Sequence, residues 1–251
     1  MKKMICIKKV ILIVSILMII SCSTQESKHT EKRLILDDEF ALDILEPSGL
    51  AYCETDNTLW TVSDNTNQIY QIDMEGNILQ TLAYVGQDLE GICYDYSTST
   101  LWVVEESLND LVNVSLHGVE LQRYEIPIPT GDNSGLEAVC IGKDYTFYLM
   151  KEKNPGKFIE LNDDFSIKNS LELDFADDYS GMCWDDENEV FWIVSDQSRE
   201  AFLWTETTGV TENYSLDFEK AEGVAIIPGT KFIYIVSDSE QMLYKCRIEE
   251  Q

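Results

Sequence analysis

The sequence predicts an all-β fold, a five-bladed β-propeller of four-stranded blades. Three observations carry this: a strand-hairpin motif that recurs five times, near-constant spacing inside each copy, and an N-terminal stretch suited to complete a last copy that ends one strand short. The copies are EPSGLAYCETDNTLWTVSD from Glu46, LEGICYDYSTSTLWVVEE from Leu89, LEAVCIGKDYTFYLMKE from Leu136, YSGMCWDDENEVFWIVSD from Tyr179 and AEGVAIIPGTKFIYIVSD from Ala221. Their equivalent small residues, Gly49, Gly91, Ala138, Gly181 and Gly223, lie 42 to 47 residues apart. The acid closing each copy, Asp64, Glu106, Glu152, Asp196 or Asp238, follows 14 or 15 residues later. A repeat of about 40–45 residues with strand content is the signature of propeller blades.

Residues 1–21 carry Lys2, Lys3, Lys8 and Lys9 ahead of an apolar run from Val10 to Ile20. That run is shorter than the ~20 residues of a spanning helix, so it reads as a cleaved export signal. Ile19-Ile20-Ser21-Cys22 looks like a lipobox, which makes Cys22 the lipidation site and places the body at the cell envelope, anchored to the plasma or outer membrane. An ordinary secretory signal or an uncleaved anchor is the alternative. Residues 22–32 are polar and aperiodic, a tether between lipid and domain. The propeller domain is expected over 33–251.

Within a copy, the apolar runs GICY and LWVV are separated by turn residues, which makes an antiparallel hairpin. A third alternating run such as Gln68 to Ile72 and a fourth such as Ile78 to Leu82 complete four strands, the first lying innermost. The fifth copy stops after its third strand, Met242 to Ile248. Arg33 to Leu45 precede the first copy as a fourth strand precedes the others, so the N-terminal strand is expected to complete the last blade and leave no open edge.

The formal net charge is −28, and removal of residues 1–21, with four lysines and no acid, makes it −32. Such a field repels phosphate backbones, so nucleic acid is excluded as a partner, while a divalent cation or a cationic ligand is favoured. Cys93, Cys140 and Cys183 occupy a position held by Ala51 and Ala225 in other copies, so they read as small buried residues. No CxxC spacing points to zinc.

Antiparallel pairing of the first two strands puts the start of one and the end of the other at one mouth of the ring. There the first strand brings Ser48, Glu90, Glu137, Ser180 and Glu222, and the second brings the five closing acids. Crowded carboxylates raise one another's pKa unless a cation sits among them, and oxygen ligands without His or Cys suit calcium. The expected metal ligands are therefore Glu90, Glu137 and Glu222, with Glu106 and Glu152 next. The alternative is that these acids accept hydrogen bonds from strand-end N–H groups and pin the loops. Only two histidines are present, His29 in the tether and His117 in a turn, which excludes Ser-His-Asp triads and two-His iron sites. Trp60, Trp102 and Trp192 share one position in the second strand and read as packing between blades.

The segments EPSGLAY…LWTVSDNTNQIYQID, LEGICYD…LWVVEES, GLEAV…KEKNP and AEGVAI…IYIVSD resemble the SdiA-regulated family of bacterial envelope proteins. The resemblance implies a five-bladed propeller distantly similar to NHL-repeat proteins, with calcium at inner-strand acids, here Glu90, Glu137 and Glu222. Copy three departs from the pattern through Ala138 and through Lys151 beside Glu152. The resulting expectation is a monomeric, lipid-anchored, calcium-binding recognition or scaffolding module for an unknown protein or small molecule. The competing class is a calcium-dependent lactonase or phosphoesterase-like hydrolase that uses carboxylates and metal-bound water.

Overall fold

The structure is a computed structural model that describes residues 32–128 and 134–248. The expected signal, Cys22 and all but the last residue of the tether lie outside the described residues. No helix among the described residues is long and apolar enough to cross a membrane.

The described residues start with β1 (Lys32–Ala41) and then repeat a four-strand meander. The first is β2 (Pro47–Cys53), β3 (Thr58–Ser63), β4 (Gln68–Ile72) and β5 (Ile78–Val85). The second is β6 (Leu89–Asp95), β7 (Thr100–Glu105), β8 (Asp110–Ser115) and β9 (Glu120–Glu125). After it come β10 (Leu136–Ile141), β11 (Phe147–Lys151), β12 (Gly156–Leu161) and β13 (Ile167–Leu173). The fourth is β14 (Gly181–Asp185), β15 (Val190–Ser195), β16 (Glu200–Thr205) and β17 (Gly209–Ser215). The chain closes with β18 (Ala221–Ile226), β19 (Phe232–Ser237) and β20 (Met242–Ile248).

Burial is high in the first two strands of a meander and falls to the last. All six residues of β7 are buried, whereas five of six in β9 are exposed. This gradient explains why first and second strands read as continuous apolar runs, since a strand covered on both faces has no reason to alternate.

Hydrogen bonding corrects the expected sheet count. Three meanders form separate four-stranded sheets, but the fourth and the last join in one eight-stranded sheet, ordered β14-β15-β16-β17-β1-β20-β19-β18. The reason lies in β1. It runs antiparallel to β20 from Leu34↔Ile248 to Ala41↔Met242, and its first two residues also bridge β17 in parallel, Lys32↔Tyr214 and Arg33↔Ser215. Four sheets result instead of five.

Buried side chains gather between neighbouring meanders. Trp60, Val62 and Leu82 pack on Ile92, Leu101 and Val112, and at the other end of the chain Leu50, Leu59 and Ile72 pack on Tyr234, Val236 and Leu243. The first and last meanders therefore share a core. Trp60, Trp102 and Trp192 are all buried in these layers, as packing residues should be. Cys53, Cys93, Cys140, Cys183 and Cys246 are free thiols, with Cys53 and Cys246 in the same layers.

First strands approach one another too closely for side chains at one level. A Cβ added at Gly49 would meet the Glu90 carbonyl oxygen at 2.5 Å, and one at Gly91 would meet the Ala138 Cα at 2.7 Å. The repeated glycine is thus a requirement of strand-to-strand contact at the centre.

Candidate metal centre

Two backbone devices place the acids. The first strand opens with a break in register opposite the second strand, between Pro47 and Leu50, Leu89 and Ile92, Leu136 and Ala138, and Ala221 and Gly223. Ser48, Glu90, Glu137 and Glu222 all fall inside these breaks. A bulge of this kind re-aims a side chain. The second device is the residue ahead of the first strand. Glu46, Asp88 and Lys220 have φ of 46°, 58° and 53°, and their carbonyls accept the backbone N–H of Asp64, Glu106 and Asp238. Gly135 accepts that of Glu152 in the same way. The closing acid of each of these meanders is thereby tied to the start of its own first strand.

Two sets of three acids can each bring one carboxylate oxygen within 4.8 Å of one another: Asp88, Glu90 and Glu106, and Glu106, Glu137 and Glu152. Glu106 belongs to both. Four of the five predicted ligands, Glu90, Glu106, Glu137 and Glu152, are brought together, and Glu222 lies outside these sets among Asp196, Asp238, Asp178 and Lys220. The Lys153 ammonium is paired with Glu152, whereas Glu137 is buried. Lys151 is buried and turned to its own loop, donating to Ser134 Oγ at 2.5 Å and to the Lys153 carbonyl. The loop-pinning alternative also operates: Glu106 Oε1 accepts the Gly135 N–H at 2.7 Å, and Asp196 Oδ1 accepts that of Lys220 at 3.0 Å.

The electrostatics follow from burial. Burial, first of all, pushes Glu90 and Glu137 well above the usual carboxylate range, and their acidic neighbours push them further. Ser48 offsets part of this by donating to Glu90 Oε2 at 2.5 Å. Glu222 is pushed up to about 8 by burial, against the pull of Lys220, and Asp64 to about 7 by burial with Glu46 and Asp238 close by. Asp64 Oδ1 and Asp238 Oδ1 are buried oxygens with no hydrogen-bond partner. Such atoms cost free energy unless something compensates them. The two all-oxygen triads, whose carboxylates repel one another, fit a hard divalent cation such as calcium, and the orphaned oxygens of Asp64 and Asp238 lie outside both.

Asp88 is not among the ligands the sequence pattern marks. A signal for it exists in the spacing, because Glu46, Asp88 and Asp178 each stand two residues ahead of Ser48, Glu90 and Ser180. Asp178 is buried and accepts from the Ser195 hydroxyl and the Gln197 N–H.

Fold and site define a class, an all-β, propeller-like protein with a carboxylate-lined mouth. The chain belongs to the SdiA-regulated family, whose sequence profile matches residues 33–238. No curated protein matches this sequence. Among solved structures, it is similar to virginiamycin B lyase from Staphylococcus aureus, with 11% identity and a TM-score of 0.54 over 84% of this chain and 99% of that one. It is also similar to XC5397 from Xanthomonas campestris, a gluconolactonase, with 12% identity and a TM-score of 0.56 over 87% of this chain and 84% of that one. A Bacteroides caccae protein of unknown function aligns at 11% identity and a TM-score of 0.54, over 76% of this chain and 70% of that one. At these identities the likeness concerns the fold.

Proposed function

We propose that the protein is an exported propeller, anchored through lipid at Cys22, that binds calcium at one mouth and serves as a recognition or scaffolding module at the cell envelope. In this reading there are five blades, the fifth formed by β18, β19, β20 and β1, and the β1–β17 bridge is a contact between blades. The observation that carries the calcium assignment is the pair of acid triads sharing Glu106. Asp88, Glu90, Glu106 and Glu137 would hold the ion, and Glu152 contributes less because Lys153 already neutralises it. The ion would supply the positive charge that four carboxylates lack.

Elemental analysis and calcium titration of the full chain test this. If 100-fold calcium excess over the dissociation constant is reached, mass action adds about 2.7 kcal/mol. That raises the Tm by roughly 5–10 °C for a domain of this size. Glu106→Gln is expected to abolish most of the rise, since Glu106 serves both triads. No bound divalent ion and an unchanged Tm on adding calcium would overturn the assignment.

A second reading, a calcium-dependent lactonase or related hydrolase, is favoured by one observation: Asp88 and Glu106 are each only half-buried, so an ion beside them would be reachable from solvent. A lactone and ester panel in calcium decides it, with turnover lost in Glu137→Gln expected of an enzyme. The lyase neighbour's mechanism fares worse. A histidine-to-alanine variant of the Staphylococcus aureus lyase is catalytically inactive, whereas here the one described histidine, His117, sits exposed in the β8–β9 turn.

A further inference from the structure

A large cavity lies at the opposite mouth from the acids. It is about 690 Å³ and is lined where the first strands end. Its floor is small and apolar, formed by Ala51, Cys93, Cys140, Cys183 and Ala225. A constriction of about 10 Å³ reaches from Leu50, Ile92 and Met182 to Glu137, room for no more than one water. A molecule in the cavity therefore cannot reach the carboxylate mouth along the axis.

Aromatic rings form the wall: Tyr52, Tyr94, Tyr96, Tyr145 and Trp184. Their polar ends are already engaged with protein. Tyr96 Oη donates to the Tyr52 carbonyl at 2.8 Å and accepts the Glu54 N–H at 3.2 Å. Tyr145 Oη donates to Asp95 and accepts from Ser97 at 2.9 Å. Tyr52 Oη donates to Asn57, and Trp184 Nε1 donates to Asp186. What remains for a ligand is ring surface, held rigid by bonds that cross from one meander to the next. Tyr96 and Tyr145 keep 54% and 47% of their surface exposed, a cost in apolar hydration that the fold itself does not require.

Charge selects the ligand. Glu54, Asp186 and Glu187 also line the cavity, and among its described lining residues none is Lys or Arg. The adjacent Lys143 is turned to Glu189 at 2.6 Å. We infer that this cavity binds a small organic cation with an apolar body, of the substituted-ammonium class, seated against the tyrosine and tryptophan faces with its charge toward the acidic rim. Aromatic cages bind such cations through the ring quadrupole, and a preformed apolar cavity with few polar groups suits a ligand of this size. The inference is independent of the calcium assignment, which concerns the other mouth.

Isothermal titration of the full chain with benzyltrimethylammonium tests it, alongside choline against its uncharged isostere 3,3-dimethylbutan-1-ol, and benzenesulfonate. Binding of benzyltrimethylammonium is expected, with choline preferred over the isostere and no uptake of the sulfonate. Tyr96→Leu should weaken the cation by roughly 3- to 30-fold, the range of one cation–π contact. Tyr96→Phe keeps the ring and should stay within about threefold, which separates loss of the ring from misfolding. Absence of benzyltrimethylammonium binding, equal affinity for choline and its isostere, or an unchanged affinity in Tyr96→Leu would each overturn the proposal.

Discussion

Arg123→Met is expected to lower the Tm by roughly 6–12 °C, corresponding to about 3 kcal/mol in a domain of this size. Arg123 on β9 reaches back across the sheet to the end of β7. Its guanidinium lies 2.7 Å from Glu105 Oε2, 2.7 Å from Asp110 Oδ2 and 2.9 Å from Glu120 Oε2, and also donates to Tyr84 Oη at 3.0 Å. The Glu105 side chain is 1% exposed, so without the arginine its charge is left buried with only the Tyr84 hydroxyl at 2.6 Å. Removing one partner of a buried pair costs more than the pair itself contributes, because the desolvation of the survivor is no longer offset. Because Arg123 is one-third exposed, the figure sits at the lower end of that range. Glu105→Gln in the Arg123→Met background should recover part of the loss, since a neutral amide tolerates burial better. Thermal denaturation of the three variants checks this, and a Tm for Arg123→Met within a degree of the parent would refute it. Glu105 directly precedes Glu106, so the same substitution should loosen the candidate calcium ligand and weaken calcium binding.

The repeat is legible because each first strand must put a small residue where neighbouring backbones nearly touch. Steric exclusion at Gly49 or Gly91 leaves a mark on every copy. The bridge between β1 and β17 leaves no such mark. It depends on two residue pairs at the very start of β1, and parallel pairing there requires no distinctive side chain. Sheet count is therefore not readable, although the β1–β20 pairing follows from the missing fourth strand.

For the site, residue type and strand register place Glu90, Glu106, Glu137 and Glu152 at one mouth. What spacing cannot reveal is the angular order of the copies around it. Asp88, Glu90, Glu106, Glu137 and Glu152 come from the second and third meanders and their connections, whereas Glu222 faces Asp196 and Asp238, from the fourth and last. Lys220 makes the Glu222 side of the ring unlike the rest, since it pairs with Asp196 at 2.7 Å and lowers the proton affinity of Glu222, while Glu222 still raises that of Glu90 and Glu137. A sequence pattern that treats all copies as equivalent misses that asymmetry. The turn acid Asp88 escapes it for a related reason: it lies outside the strand, where apolar periodicity gives no guide to a residue that the left-handed turn carries to the mouth.

Stability without divalent ions is expected to fall as pH rises from about 5 to about 8.5. Glu90 and Glu137 are held well above the usual carboxylate range, chiefly by burial, Glu222 up to about 8 and Asp64 to about 7. In the unfolded chain these groups lose their protons near pH 4–4.5. Between those values and the folded ones the native state holds protons that the unfolded state has released, so unfolding becomes easier with each increment of pH. The stabilising contribution is complete below pH 4 and is lost as pH passes the folded values. Acids displaced in the opposite direction, such as Asp95 under its hydrogen bonds from Tyr145 and its neighbours, act only below the ordinary range and do not enter this window. A tenfold difference in proton affinity between the folded and unfolded states corresponds to about 1.4 kcal/mol for a fully buried group. Asp64 is half-exposed and the acids share one field, so a discounted total of about 2–4 kcal/mol is expected, a Tm lower by roughly 5–15 °C. Calcium should flatten the profile, because an ion among Asp88, Glu90, Glu106 and Glu137 replaces protons as the countercharge, and its benefit should be larger at pH 8.5 than at pH 5. Melting curves across that range, with chelator and with calcium, check both parts. A chelated protein whose Tm rises with pH would show that these carboxylates are already compensated by the fold, which would also remove the electrostatic reason for a cation at this mouth.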